Sequence, residues 1–329
     1  TSGGESDIFV ASWTSAGMAR WVRAYGVEGA DAGYAVTTDA AGDVYVTGTF
    51  RGNVDFGGGA LEGTAGGDVF VLSLNTGGGH RWSRRFGGTP SRAGGGTGYA
   101  LTVSSDGSVY ATGLFSGSVD FGSDLVISAG NFDVFVESLA ASSGAHQWVR
   151  RFGAGNVDWG FGVVADARGN VYFTGYFQGA VDFGGGALSG GVGTDGFLAS
   201  YTRMGTHRWS RRFGGSTSYY GNATGQAVTL DAVGNVVVAG SFAGNVDFGG
   251  GLRTSVGDND IFVASWTNTG AARWSRRFGA ERRDEAHGVA TDASGNVYAT
   301  GEFDLGVDFG AGRVDTVGGP DAFVFQYVQ

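Results

Sequence analysis

Short apolar runs separated by turn signals dominate this chain. Residues 34–38 alternate weakly and end in Asp39-Ala40-Ala41-Gly42, a turn sequence. Residues 44–50, Val-Tyr-Val-Thr-Gly-Thr-Phe, read as a second strand rich in β-branched and aromatic side chains. A Gly-rich connection carrying Val54-Asp55-Phe56-Gly57 follows. Residues 68–74 read as a third strand, Asn75-Thr76-Gly77 as its closing turn, and residues 80–87, with Trp82 between arginines, as a fourth. On that fourth strand Trp82, Arg84 and Phe86 share one face and Arg81, Ser83 and Arg85 the other, because side chains alternate along a strand.

The same pattern recurs every 61 to 66 residues. The Trp strand occurs at Trp21, Trp82, Trp148, Trp209 and Trp274. The Val-Asp-Phe-Gly segment occurs at Asp55, Asp120, Asp182, Asp247 and Asp308. The Asp-x-Phe start of the third strand occurs six times, at Asp7, Asp68, Asp133, Asp195, Asp260 and Asp321. Four short strands in tandem repeat fit a propeller blade better than a sandwich or a solenoid coil. The expected fold is therefore all-β: a five-bladed β-propeller with four antiparallel strands per blade, one domain over residues 1–329. The small residues of the first strand suit the crowded inside of a blade, and the bulky Trp strand its outer rim. The last blade lacks a Trp strand of its own. The N-terminal strand around Trp21 is expected to supply it, so that N- and C-terminal strands close the ring and remove two bare edges. Residues 1–16 then hold a surplus copy of the third strand, as from a longer tandem array.

Composition narrows the chemistry. The net charge is −10, every basic residue is Arg, and 13 of the 21 arginines lie in the five Trp strands. Stacking over Trp and pairing with Asp explains them more economically than a basic patch, and nucleic acid is disfavoured as a partner. The absence of Lys excludes Schiff-base chemistry, and the absence of Cys excludes disulfides, thiol nucleophiles and thiolate metal sites. Gly reaches 66 residues without a three-residue period, so collagen is excluded. No apolar run is long enough for a membrane-spanning helix. Thr1 is not an initiator Met, and a mature or excised fragment is expected.

One stretch carries a recognisable motif. Residues 153–175 read Gly-Ala-Gly-Asn-Val-Asp-Trp-Gly-Phe-Gly-Val-Val-Ala-Asp-Ala-Arg-Gly-Asn-Val-Tyr-Phe-Thr-Gly, and residues 284–301 match them. This resembles the SBBP-type bacterial β-propeller repeat. The resemblance implies a secreted or cell-surface module and brings no catalytic residues with it. Asp39, Asp166, Asp231 and Asp292 align in the turn after the first strand, with Ser104 and then Asp106 in the remaining copy; backbone bonding by these side chains is expected.

Candidate binding residues follow from the loops. The connections from second to third and from fourth to first strand share one face and are long, whereas the others are tight turns. From the Gly that ends the Trp strand to the next first strand the connections run 7, 11, 7, 11 and 7 residues. They carry Asp31, Asp158 with Trp159, and Asp284, and in one longer loop Tyr219, Tyr220 and Asn222. The first strands then begin at Tyr34, Tyr99, Phe161, Gln226 and His287. Aromatic rings beside carboxylates and amides suit sugars, and they equally suit packing between blades or filling a channel. Calcium at Asp31, Asp158 and Asp284 would be incomplete, because Gly96 and Ala223 stand at the equivalent positions; no cofactor is expected. His80, His146 and His207 occupy one repeated position and read as structural. The expected function is a non-enzymatic binding or scaffold module acting on a protein through the long-loop face. A carbohydrate-binding propeller is the alternative, and a glycoside-active enzyme using two of the loop carboxylates a further one.

Overall fold

A computed structural model describes residues 4–27, 29–89, 92–122, 125–215 and 221–328. Residues 1–151 with 167–169 form one compact unit, and residues 152–166 with 170–329 a second. The first unit opens with a hairpin, Ile8–Trp13 and Ala19–Tyr25. Blade one follows, built in the order Ala32–Thr38, Val44–Phe50, Asp68–Leu74, His80–Phe86. Blade two is Gly94–Val103, Ser108–Asp120, Asp133–Ala140, His146–Phe152, the last residue counting with the second unit. The second unit holds blade three, Trp159–Ala165, Val171–Asp182, Ala187–Tyr201, His207–Phe213. Blade four is Gly221–Leu230, Val236–Asp247, Asp260–Trp266, Ala272–Phe278. Blade five has three strands, Glu285–Thr291, Val297–Phe303, Asp321–Tyr327. All five are antiparallel β-propeller blades whose strands neighbour one another in chain order.

Three expectations meet a different local structure. Among the described strands, no pairing of the Trp21 strand with the last blade is seen. Ala19–Tyr25 pairs with Ile8–Trp13, and Asp321–Tyr327 pairs only with Val297–Phe303 among the described strands. The reason is local: a tight turn, with Gly17 N–H donating to Thr14 O at 3.0 Å, makes the N-terminal hairpin the counterpart of a third and fourth strand. The Val-Asp-Phe-Gly connection is also more regular than a loop. It forms a small hairpin in each blade, such as Asn53–Asp55 with Ala60–Glu62, and Asp55 Oδ1 accepts Gly57 N–H at 2.7 Å and Gly59 N–H at 3.0 Å in its turn. Finally, the longer fourth-to-first connections are partly strand. Gly94 pairs with Gly117 and Gly221 with Gly244, so the first strands of blades two and four reach ten residues.

Neighbouring blades within each unit bury separate apolar clusters. The hairpin's Ile8 and Val10 join Val44, Val46, Phe50 and Phe70 of blade one. Val69, Val71 and Phe86 of blade one join Val109, Phe115 and Phe135 of blade two. Ile261 and Val263 of blade four join Phe323 and Phe325 of blade five. Within these clusters the Phe of Asp-x-Phe faces the preceding blade, and in the hairpin and blades one and four the residue after it faces the next.

The outer strands add a polar clasp to this packing. Trp82 Nε1 donates to Ala141 O at 2.9 Å, and Arg84 Nε to Gly144 O at 2.8 Å. Trp21 and Arg23 reach Thr76 O and Gly78 O in the same way, and Trp209 and Arg211 reach Asn268 O and Gly270 O. Three residues after Trp82, Arg85 pairs with buried Asp68 at 2.7 Å; at the same place in their strands Arg151 pairs with Asp133 and Arg277 with Asp260. The arginines are thus structural partners of Trp and Asp. The turn aspartates also serve the backbone: Asp39 Oδ1 accepts from Ala41 and Asp43, and Asp292 Oδ1 from Ser294 and Asn296.

Candidate functional site

Each first strand carries a β-bulge at one repeated place. The register passes from Gly33 to Ala35, from Gly98 to Ala100, from Gly160 to Gly162, from Gly225 to Ala227 and from Ala286 to Gly288. The residues skipped are Tyr34, Tyr99, Phe161, Gln226 and His287, the five sequence-predicted positions. A bulged residue has no partner opposite it, and the kink re-aims its side chain. The glycine of the Thr-Gly or Ala-Gly step on the facing second strand makes room for the bulge. A Cβ on Gly48 would strike Ala32 O, and one on Gly175 would strike Trp159 O. The motif glycine and the bulge are therefore one device.

In the first unit the device brings Tyr34 and Tyr99 into an edge contact, with ring centroids 5.2 Å apart. Tyr34 is exposed, and Tyr99 is half-buried, with its hydroxyl pushed above the ordinary tyrosine value chiefly by burial. In the second unit a cavity of about 230 Å³ opens between Phe161 and Tyr176 on one side and Gln226, Asn259, Arg283 and Glu285 on the other. Trp159 stacks on Tyr176 at 5.8 Å and meets Phe161 edge-on at 5.4 Å. Asn222 also lines the cavity, and its Oδ1 accepts Thr194 N–H at 2.9 Å. Glu285 is buried, which raises its carboxyl. Hydrogen bonds from Arg283 and Asn259, both at 2.9 Å, and the charges of Arg283 and His287 outweigh burial and hold it below the ordinary value. Exposed His287 lies with Glu285 and Glu302 so that one ligand atom of each falls within 4.8 Å of the others. That trio has the donor types for a cation, but Arg283 already neutralises Glu285.

Asp31, Asp158 and Asp284 sit elsewhere in the scheme. All are buried, and each clamps the short fourth-to-first connection to the end of the second strand. Asp31 accepts Val27 N–H and Arg51 N–H, at 3.1 and 2.8 Å. Asp158 accepts Ala154 and Gln178 N–H, both at 3.0 Å, and Asp284 accepts Ala280 and Asp304 N–H, at 2.8 and 3.0 Å. Both oxygens of each carboxylate thus face backbone donors. Tyr219 and Tyr220 lie outside the described residues. Sequence reasoning missed Tyr176, Asn259 and Arg283 as cavity residues. Tyr176 carried a signal, because it directly follows the motif Gly175; Asn259 and Arg283 reach the cavity from connections whose course the repeat pattern leaves open.

Comparison with known proteins adds the following. The SBBP beta-propeller repeat matches residues 147–176 and 273–302, each stretch running from a Trp strand through the clamped connection to the end of the bulge-facing segment. No curated protein matches the chain. Among solved structures, BamB from Moraxella catarrhalis is similar at 14% identity, covering 88% of this chain and 85% of its own, with a TM-score of 0.35. Quinohemoprotein alcohol dehydrogenase from Comamonas testosteroni is similar at 12% identity, covering 92% of this chain and 56% of its own, with a TM-score of 0.46. No helix among the described residues is long and apolar enough to cross a membrane. The two matched copies, in the segments whose residues resemble the motif, carry the SBBP beta-propeller repeat signature.

Proposed function

We propose that this chain is a non-enzymatic binding and scaffold module, displayed outside the bacterial cell, that holds a protein partner at the long-loop ends of its blades. The observation that carries the reading is the bulge row. Every blade keeps a bulge and its facing glycine, yet the side chain presented varies from Tyr to Phe, Gln and His. Constant backbone with a variable side chain is how a rigid scaffold presents a recognition surface. The cavity beside Gln226 offers aromatic walls, amides and an exposed Arg283 paired with Glu285, which suit a polar polypeptide segment. The clamped aspartates argue against catalysis by loop carboxylates, since both oxygens of each are engaged by the backbone.

A carbohydrate is the second reading, favoured by Phe161 and Tyr176 standing beside Asn222, Gln226 and Asn259. One experiment separates the two. The chain and its Gln226→Ala/His287→Ala variant are screened on a glycan array, with calcium and with chelator, and in parallel used to crosslink proteins from cell-surface extracts. A blank array with a specific crosslinked protein that the variant loses supports the scaffold reading. A sugar-competable array signal replaces it with the lectin reading, and chelator sensitivity of that signal brings in calcium. Capture or staining indifferent to the double variant removes the bulge row from either role.

A further inference from the structure

One arginine stands where the repeat otherwise puts an apolar side chain. In the small hairpin of each blade, the residue opposite the Val of Val-Asp-Phe-Gly is Leu61, Val126, Leu188, Arg253 and Val314 in turn. Leu61 and Val126 pack on apolar clusters. Arg253 instead reaches the outermost strand of blade four, where its Nε donates to Ser275 Oγ at 3.0 Å and its Nη2 to Ser275 O at 3.1 Å. Arg276 Nη1 donates to the same carbonyl, also at 3.1 Å. The two guanidinium nitrogens are therefore no more than about 6 Å apart, a separation at which like charges repel. Leu252, Thr254 and Arg277 complete a cleft of about 330 Å³ around them, all within the second unit.

Arg277 has a carboxylate partner, buried Asp260. Arg253 and Arg276 make no ion pair among the described residues, although acidic side chains outnumber basic ones in the chain by 31 to 21. The Ser275 carbonyl orients both groups and, being neutral, cancels neither charge. We propose that this cleft binds a phosphate group, held between the guanidinium groups of Arg253 and Arg276. Their forked N–H donors match the oxygens of a tetrahedral anion. A phosphate also carries enough charge to answer both arginines, whereas a carboxylate answers one. The first strand of blade four, with Gln226, lies at the other side of the sheet, so this site is separate from the bulge row.

Isothermal titration calorimetry with inorganic phosphate, and separately with phenyl phosphate, tests this, with sodium chloride at equal ionic strength as the control. Arg253→Leu gives blade four the residue that two other blades carry, so it keeps the fold, and Arg276→Gln is a second, independent variant. The wild type binds one phosphate per chain, and each variant loses a charged hydrogen-bonding group and weakens binding by about tenfold or more. Phosphate raises the melting temperature of the wild type beyond the chloride control and leaves that of Arg253→Leu at its control value. Binding of phenyl phosphate as well identifies an ester group on a larger molecule as the ligand; binding of inorganic phosphate alone identifies the free ion. Three results overturn the proposal: no saturable heat with either compound, affinity undiminished in both variants, or a thermal shift that chloride reproduces.

Discussion

Trp82 of blade one donates its indole N–H to the carbonyl of Ala141 in blade two, at 2.9 Å. Its ring also covers Gly144, whose φ is +66°, so closely that a Cβ there would lie 2.5 Å from the ring. Trp82→Phe keeps the apolar contact and loses one hydrogen bond, an expected cost of about 1 kcal/mol. Trp82→Ala should cost about 3–5 kcal/mol. Gly144→Ala is unfavourable twice, through its φ and through the indole, and should fall between them. Chemical denaturation of the three variants checks the order; a Gly144→Ala protein as stable as wild type would dissolve the clasp.

The aspartate clamps make a prediction with a sign. Burial is the largest influence on Asp284 and pushes its carboxyl above the ordinary aspartate value; the charge of Asp304 adds to this, and hydrogen bonds from Ala280 and Asp304 N–H oppose it. A carboxyl raised in the fold binds more protons native than unfolded. The stability it contributes is full below the unfolded value and is lost as pH rises through the folded one. The stability gap between wild type and Asp284→Asn should therefore widen as pH falls from about 7 towards about 4. Glu285, held below its ordinary value, behaves oppositely, and the gap to Glu285→Gln should narrow over the same range. Thermal melts at several pH values read both trends, and a common trend for the two would contradict the environments described.

Gly175 tests the bulge. It faces the step from Gly160 to Gly162, and a Cβ on it would strike the carbonyl of Trp159. Its backbone lies outside the left-handed region, so the cost of Gly175→Ala is steric. A loss above about 2 kcal/mol is expected, together with a shift in Trp fluorescence as Trp159 leaves Tyr176. An unchanged melting temperature would mean that the strand accommodates a side chain and that the glycine has another purpose.

The N-terminal strand is the fourth test. Ile8 is 1% exposed and packs with Val44 and Val46, so Ile8→Ala should cost about 2–4 kcal/mol. Removing residues 1–16 should lower the melting temperature markedly, against the small effect that a surplus strand would give. Differential scanning calorimetry of both proteins decides.

Much of this fold was legible because the repeat is strict. The four strands of blades one to four, the Trp strand as outermost there, and the pairing of arginine with Trp and Asp all follow from alternation and spacing. Ring closure was not legible from the repeat, because edge removal is an argument about the whole array, while the tight turn from Thr14 to Gly17 pairs the Trp21 strand locally. The bulge row falls on residues that the sequence singled out for another reason. Tyr34 and His287 stood out as the starts of first strands, but a bulge appears only when two strands are aligned in register. Asp31, Asp158 and Asp284 drew attention as candidate binding residues because loop aspartates usually meet water; here the short connection folds over them.

The clasp also orders events in time. Trp21 waits for Thr76, 55 residues further on, and Trp82 and Trp209 each wait 59 residues for their acceptors. A ribosome adding about 5–20 residues per second delivers that turn roughly 3–12 seconds after the tryptophan. These three outer strands therefore emerge into a nascent chain with the indole donor still hydrated, and each locks only when the following hairpin arrives. Synthesis of this protein is a zipper that closes one blade behind the growing end.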